Sequence, residues 1–238
     1  INADQPWAAA WRERAGAAKV IDFALDAQAA VTAGGIESLG VEGVRFDART
    51  PAGSFPVRLA LPGRHNVANA LAAIAVGLAC GLAAEEICAG LEAARPVSGR
   101  LSSAVAPGGA TVVDDCYNAN PGSVRAAIDL LAGCAGRRTL VLGAMRELGP
   151  DSEALHRDIG SYARQAGIDA LWGVGEELRP TVEAFGEGGV FFNNRQAACA
   201  AVSGEFGGDD TVLVKGSRSA GMERLLQALL ENGDGEEG

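Results

Sequence analysis

From residue 106 onward the chain repeats one pattern: an apolar strand-like run, a loop rich in Gly, Asp and Asn, then an amphipathic helical stretch. Five such units follow one another, with residues 110–121 leading into 123–133, 137–145 into 152–167, 168–175 into 176–186, 189–194 into 195–206, and 209–216 into 219–233. Parallel strands need helical crossovers, and the crossovers cover both faces of the sheet. The expected fold class is therefore α/β, with a Rossmann-like, mostly parallel open sheet and helices on both faces. Ligands of such sheets bind beyond the carboxyl ends of the strands, which directs attention to the loops DDCYNANP, GAMRELGP, GVGEEL and KGSRSAG. Residues 232–238, all acids and glycines apart from Asn232, read as a frayed tail.

The first part reads differently. Residues 19–26, 29–50 and 53–63 alternate apolar and polar positions between Gly, Pro and Asp, which is the period of short antiparallel strands in a small meander. Residues 62–82 and 82–96 then carry Ala, Leu and Ile at helical spacing, and Pro96 stops the second helix. The expected organisation is one region at 1–105, small antiparallel strands plus two helices, and a second at 106–238.

Composition excludes several classes of protein. With 48% hydrophobic residues and 33 glycines the bulk of the chain must collapse, so disorder is excluded. Thirty acidic against 20 basic residues give a net charge of −10, which argues against a nucleic-acid partner while leaving room for a local phosphate pocket. No apolar run reaches the ~18 residues that span a bilayer, so no membrane partner is expected. The five cysteines are odd in number and form no CxxC pair, and with only 2 histidines they read as reduced, buried thiols rather than zinc ligands. That reading puts the chain in a reducing, cytoplasmic compartment with no metal site of its own. The chain opens at Ile1 on a strand-like string with no secretory signal before it, as though cut from something longer.

Four constellations can carry chemistry. Asn66 and Asn69 stand three apart at a helix start, so both amides project from one side, where paired donors and acceptors match the edge of adenine. The plainer reading is an N-cap, and both readings stay open. Arg100 follows Pro96 and Gly99 at the junction of the two regions, where it either closes on an anionic ligand or is a surface arginine. The apolar run at 111–113 ends in Asp114 and Asp115, two carboxylates that repel unless cations or N–H groups satisfy them. The following Asn120 and Pro121 are also explained by a turn, and no GxxxxGK[ST] phosphate loop occurs in the chain. Finally, Lys215, one of only two lysines, ends the last strand before Gly216, Ser217, Arg218 and Ser219, an anion pocket built from cations, a hydroxyl and backbone N–H groups. An ordinary serine cap is the alternative there.

Taken together, HNVANALAA, SGR, VVDDCYNANPGSVRAAI, LGAMRELGPDSEALHRDIG and LVKGSRSAGMERLLQAL resemble the ATP-dependent Mur ligases of peptidoglycan synthesis, over nearly the whole chain. The branch it most resembles adds D-alanyl-D-alanine to UDP-N-acetylmuramoyl-tripeptide. The resemblance implies that 1–105 is the end of a central ATP-binding domain and 106–238 the C-terminal Rossmann-like domain of a monomeric enzyme. It implies ATP and Mg as cofactors, with the magnesium ligands and the glycine-rich phosphate loop upstream of Ile1, so that this chain alone is inactive. Asn66 and Asn69 would face adenine, Arg100 the phosphates, and Asp115 the ribose or phosphate region. Tyr117, Asn118, Asn120, Lys215, Ser217 and Arg218 would lie near the dipeptide and the reacting carboxyl, with Arg100, Lys215 and Arg218 as the catalytic cations. Two positions depart from the family pattern: Cys116 stands where Ser is usual, and Ala144 where an aspartate is usual. The alternative to a ligase is a non-catalytic amino-acid or nucleotide-binding module of the same descent.

Overall fold

The computed structural model describes residues 1–231, so the tail expectation for 232–238 lies outside the described residues. The chain divides into two compact units, Ile1–Arg95 and Pro96–Gly238. Residues 96–105, read from the sequence with the first region, belong by their contacts to the second unit. The reason is the short strand β5 (Ser102–Val105), which pairs antiparallel with β6 (Thr111–Asp115).

The first unit is a four-stranded sheet in the order β1 (Phe23–Ala24), β2 (Val31–Ser38), β3 (Val44–Thr50), β4 (Gly53–Leu59). Strands β2 to β4 form the expected antiparallel meander, whereas β1 runs parallel to β2. In β3 the alternation is complete: Val44, Phe46 and Ala48 are buried and Arg45, Asp47 and Arg49 exposed. The helix α2 (Arg64–Ala79) lays Val67, Leu71 and Ile74 on this core, and α3 (Ala84–Ala93) adds Ile87 and Leu91. A short helix α1 (Ala8–Ala15), which the sequence pattern did not reveal, buries only Ala8 and so lacks the apolar stripe that marks a helix.

The second unit holds a six-stranded sheet in the order β5, β6, β10 (Thr211–Lys215), β7 (Arg138–Gly143), β8 (Ala170–Val174), β9 (Gly189–Phe192). All pairings are parallel except β5 with β6. The crossovers are α4 (Pro121–Ala132), α5 (Ser152–Gln165), α6 (Arg179–Phe185) and α7 (Arg195–Ala201), with α8 (Glu223–Glu231) after the last strand. This is the mixed α/β architecture expected. Alternate strand residues Val112, Val141, Val212 and Val214 pack with Ala198 of α7 and Leu225 and Leu229 of α8 in one core. Because β10 is inserted between β6 and β7, the loops leaving the carboxyl ends of these three strands emerge side by side, at a topological switch point.

The five cysteines are free thiols, but only Cys116, at the end of a central strand, is buried. Cys80 is exposed because it falls at the C-cap of α2, and Cys88, Cys134 and Cys199 are half-buried on or just after helices. Among the described residues no helix is long and apolar enough to cross a membrane.

Helices α5 and α6 meet at a contact that only glycine permits, where a Cβ on Gly160 would lie 2.0 Å from the carbonyl oxygen of Thr181. Backbone cannot give way as a side chain can. Gly160→Ala is expected to lower stability by about 2 kcal/mol, read as a shifted urea midpoint; an unchanged midpoint would show that the two helices slide apart freely.

Candidate functional site

In the second unit, the parallel register sets Lys215 of β10 beside Asp115 of β6. The Lys215 ammonium donates to the Asp115 carboxylate at 2.5 Å and to the backbone carbonyl of Asn118 at 2.9 Å. Lys215 is 2% exposed, so its charge lies inside the protein rather than facing solvent. Burial pushes the Asp115 carboxyl up from its ordinary value, against the opposing pull of the Lys215 ammonium. Expected as a point charge for an anion, Lys215 is instead neutralised by its neighbour and ties the strand ends to the loop after β6.

Asp114, on the opposite side of the strand, is satisfied by backbone. Its carboxylate accepts from the N–H of Gly99 at 2.8 Å and from the N–H of Cys116 at 3.1 Å. The Leu101 N–H in turn favours the charged form of Asp115. The two carboxylates thus grip the backbone on either side of Arg100. The turn is tight: Gly99 has φ +79° and Leu101, a buried leucine, has φ 56°. A left-handed leucine costs on the order of 1 kcal/mol and persists only where its surroundings enforce it.

What this clamp presents is the guanidinium of Arg100, 4.2 Å from the centre of the Tyr117 ring. Arg218, from the loop after β10, lies 5.9 Å from the same ring. Tyr117 is 46% exposed, so two cations flank one accessible aromatic ring at the strand ends. Ser217 is buried, its hydroxyl 3.2 Å from that of Ser219 and its N–H donating to the carbonyl of Ala144 at 3.0 Å. Arg195 at the start of α7 donates to the carbonyls of Ala220 and Gly221, bracing the far end of the same loop.

The other expected residues divide. Asn118 offers its carbonyl to Lys215 while its side chain accepts from the Ala119 N–H. Asn120 is neither in a turn nor free for a ligand: it is the N-cap of α4, exchanging bonds with Ser123 in a capping box, and its amide oxygen is committed to the helix start. Cys116 donates to the carbonyl of Val214 at 3.5 Å. Burial, with Asp114 beside it, pushes its thiol up, so it stays protonated and inert. Asp114 and the Gly99 to Leu101 turn are contributions that sequence reasoning noted but did not assign. The doubled aspartate was the available signal.

In the first unit, Asn66 and Asn69 do not cap α2. The N-cap is Gly63, and Asn66 instead donates to the carbonyl of Pro62 at 2.8 Å. Asn69 donates to the Asn66 amide oxygen at 3.1 Å, which fixes both amides in one relay ending at an exposed position.

Known proteins resemble the chain over both units. Residues 1–77 match the family described as Mur ligase middle domain, and residues 99–218 that described as Mur ligase, glutamate ligase domain. The chain is 41% identical over 236 residues to the UDP-N-acetylmuramoyl-tripeptide--D-alanyl-D-alanine ligase of Escherichia coli K12, covering 98% of this chain and 52% of that protein. A crystal structure of MurF from Acinetobacter baumannii superposes with a TM-score of 0.88 at 33% identity, over 97% of this chain and 51% of that one. MurF from Thermotoga maritima in complex with ADP shares the fold, with a TM-score of 0.76 at 21% identity, over 89% of this chain and 48% of its own. The chain therefore spans about half the length of the relatives it matches.

The buried pair makes a measurable claim. Lys215→Met leaves the Asp115 carboxylate buried without its cation and is expected to cost about 3 kcal/mol in urea unfolding, and adding Asp115→Asn is expected to return most of that loss. Strictly additive losses would mean that the two groups do not depend on each other.

Proposed function

The chain belongs to the Mur ligase family, and we propose that it is the part of an ATP-dependent ligase that receives D-alanyl-D-alanine for addition to UDP-N-acetylmuramoyl-tripeptide in the cytoplasm. The observation that carries this reading is the Tyr117 ring flanked by Arg100 and Arg218 at the ends of β6 and β10. It is joined to 41% identity with a ligase of that name.

In this reading ATP transfers its terminal phosphoryl group to the tripeptide carboxylate, releasing ADP. The free dipeptide amine attacks the acyl carbon, the C–O bond to phosphate breaks with its electron pair on the departing phosphate, and the amine gives up one proton to water or to that phosphate. Charge accumulates on the acyl oxygen and the phosphoryl oxygens, so fixed cations lower the barrier. Arg218 and Ser217 are assigned to the dipeptide and the reacting carboxyl, with the exposed face of Tyr117 as their platform. Arg100 is assigned to the phosphates and Asn66 with Asn69 to adenine. Lys215 and Asp115 act from beneath, holding the loop that carries Tyr117. Among the described residues no group of three or more His, Cys, Asp and Glu side chains could hold a metal ion.

The test is an assay of phosphate release by the ligase containing this sequence, with ATP, UDP-N-acetylmuramoyl-tripeptide and D-alanyl-D-alanine. Arg218→Ala and Arg100→Ala are each expected to reduce turnover by about 100-fold while moving the melting temperature by only a few degrees, because neither guanidinium supports a core. Phosphate release that ignores the dipeptide would overturn the substrate assignment. Equal losses of activity and folding would return Arg100 to a structural role.

A further inference from the structure

Ala144, in the loop after β7, is 3% exposed, and its methyl group offers no polar atom to a ligand. Its backbone does something else. The carbonyl of Ala144 accepts the N–H of Ser217, and the N–H of Met145 donates to Nε2 of His156 at 3.2 Å. The carbonyl and the N–H are the two ends of one peptide plane. A trans peptide points them in opposite directions, so a group that fixes one end aims the other. His156, on α5, therefore stands on one side of this plane and Ser217 on the other.

His156 is built to hold. It is 1% exposed, and Nδ1 lies 2.8 Å from the carbonyl of Ser152, one helical turn earlier. Nε2 must accept, because its partner is an N–H, so the proton sits on Nδ1 and the ring is neutral in a single tautomer. The Thr181 hydroxyl donates to the His156 carbonyl and locks the residue's backbone to α6. A buried Met145 N–H without this acceptor would be left unsatisfied.

We infer that His156 is a positioning residue, which orients the Ser217–Arg218 turn through the Ala144–Met145 peptide and so sets the geometry offered to the dipeptide. This role deepens the ligase reading and rests on it for the identity of the ligand, but the mechanical link is independent of that identity and is tested separately.

Two conservative variants separate the atoms involved. The short amide introduced by His156→Asn can replace Nδ1 but does not reach Met145, whereas His156→Gln places an acceptor near the position of Nε2. Amide hydrogen exchange in the full chain, followed by NMR, is the first readout. His156→Asn is expected to speed exchange at both Met145 and Ser217 by about fivefold, with Leu213 and Val214 in β10 unchanged, and His156→Gln is expected to restore the slow rates. Unchanged Ser217 exchange in His156→Asn, a uniform rise across the sheet, or equal behaviour of the two variants would overturn the inference. In the ligase, His156→Asn is expected to raise KM for D-alanyl-D-alanine about fivefold with KM for ATP unaltered, and His156→Gln to reverse it. A ligase inactive toward the dipeptide even without substitution would sink the functional reading, and the exchange rates alone would then decide whether His156 positions the turn.

Discussion

A lysine that reaches the end of a central strand with almost no exposure has to be neutralised, and here that requirement organises everything around it. Lys215 finds its counter-charge directly across the parallel register in Asp115 and a second partner in the Asn118 carbonyl. Breaking such a pair strands a charge in a medium that solvates it poorly, so the two strand ends and the loop after β6 move as one body. Asp114, one residue earlier, has no cation and recruits the Gly99 and Cys116 N–H groups instead. The outcome is a rigid floor from which Arg100, Tyr117 and Arg218 project, with their charge available because the lysine's is already neutralised.

Topology supplies the rest of the convergence. Insertion of β10 between β6 and β7 brings together loops that lie about a hundred residues apart in the chain, as the Lys215 to Asp115 separation shows. The loop after β10 is then fixed from two sides: the Ala144 carbonyl accepts the Ser217 N–H, and Arg195 donates to the carbonyls of Ala220 and Gly221. The Met222 side chain packs closely on the backbone of Gly143 and Gly216, where a Cβ at either would fall under 3.0 Å from it. Preorganisation of this kind matters for charge stabilisation, because donors already in place cost no reorganisation when charge develops.

Much of this was legible in the sequence, for identifiable reasons. Strand and helix periods differ, so the repeating units announced a parallel sheet, and the sheet announced where its ligands bind. The paired asparagines, the doubled aspartate and the lysine at a strand end were visible because each breaks the local pattern. What the sequence did not disclose is which of these groups would face one another. Lys215 looked like a free cation since register is invisible in one dimension, and Asn120 looked like a ligand group although its amide closes a capping box. His156 was hidden within an amphipathic helix, where a buried histidine is indistinguishable from any other inward position. The helix α1 escaped because it buries a single alanine and shows no periodic stripe.

Uptake of a dipeptide at the strand ends of the second unit is the central claim. The direct measurement is an NMR titration of the 238-residue chain with D-alanyl-D-alanine, observing backbone amides and the labelled rings of its tyrosines. The expected result is saturable shifts confined to Tyr117, Ser217, Arg218 and their neighbours, with Tyr162 on α5 undisturbed. Saturable shifts centred on other residues, or none at millimolar dipeptide, would contradict it.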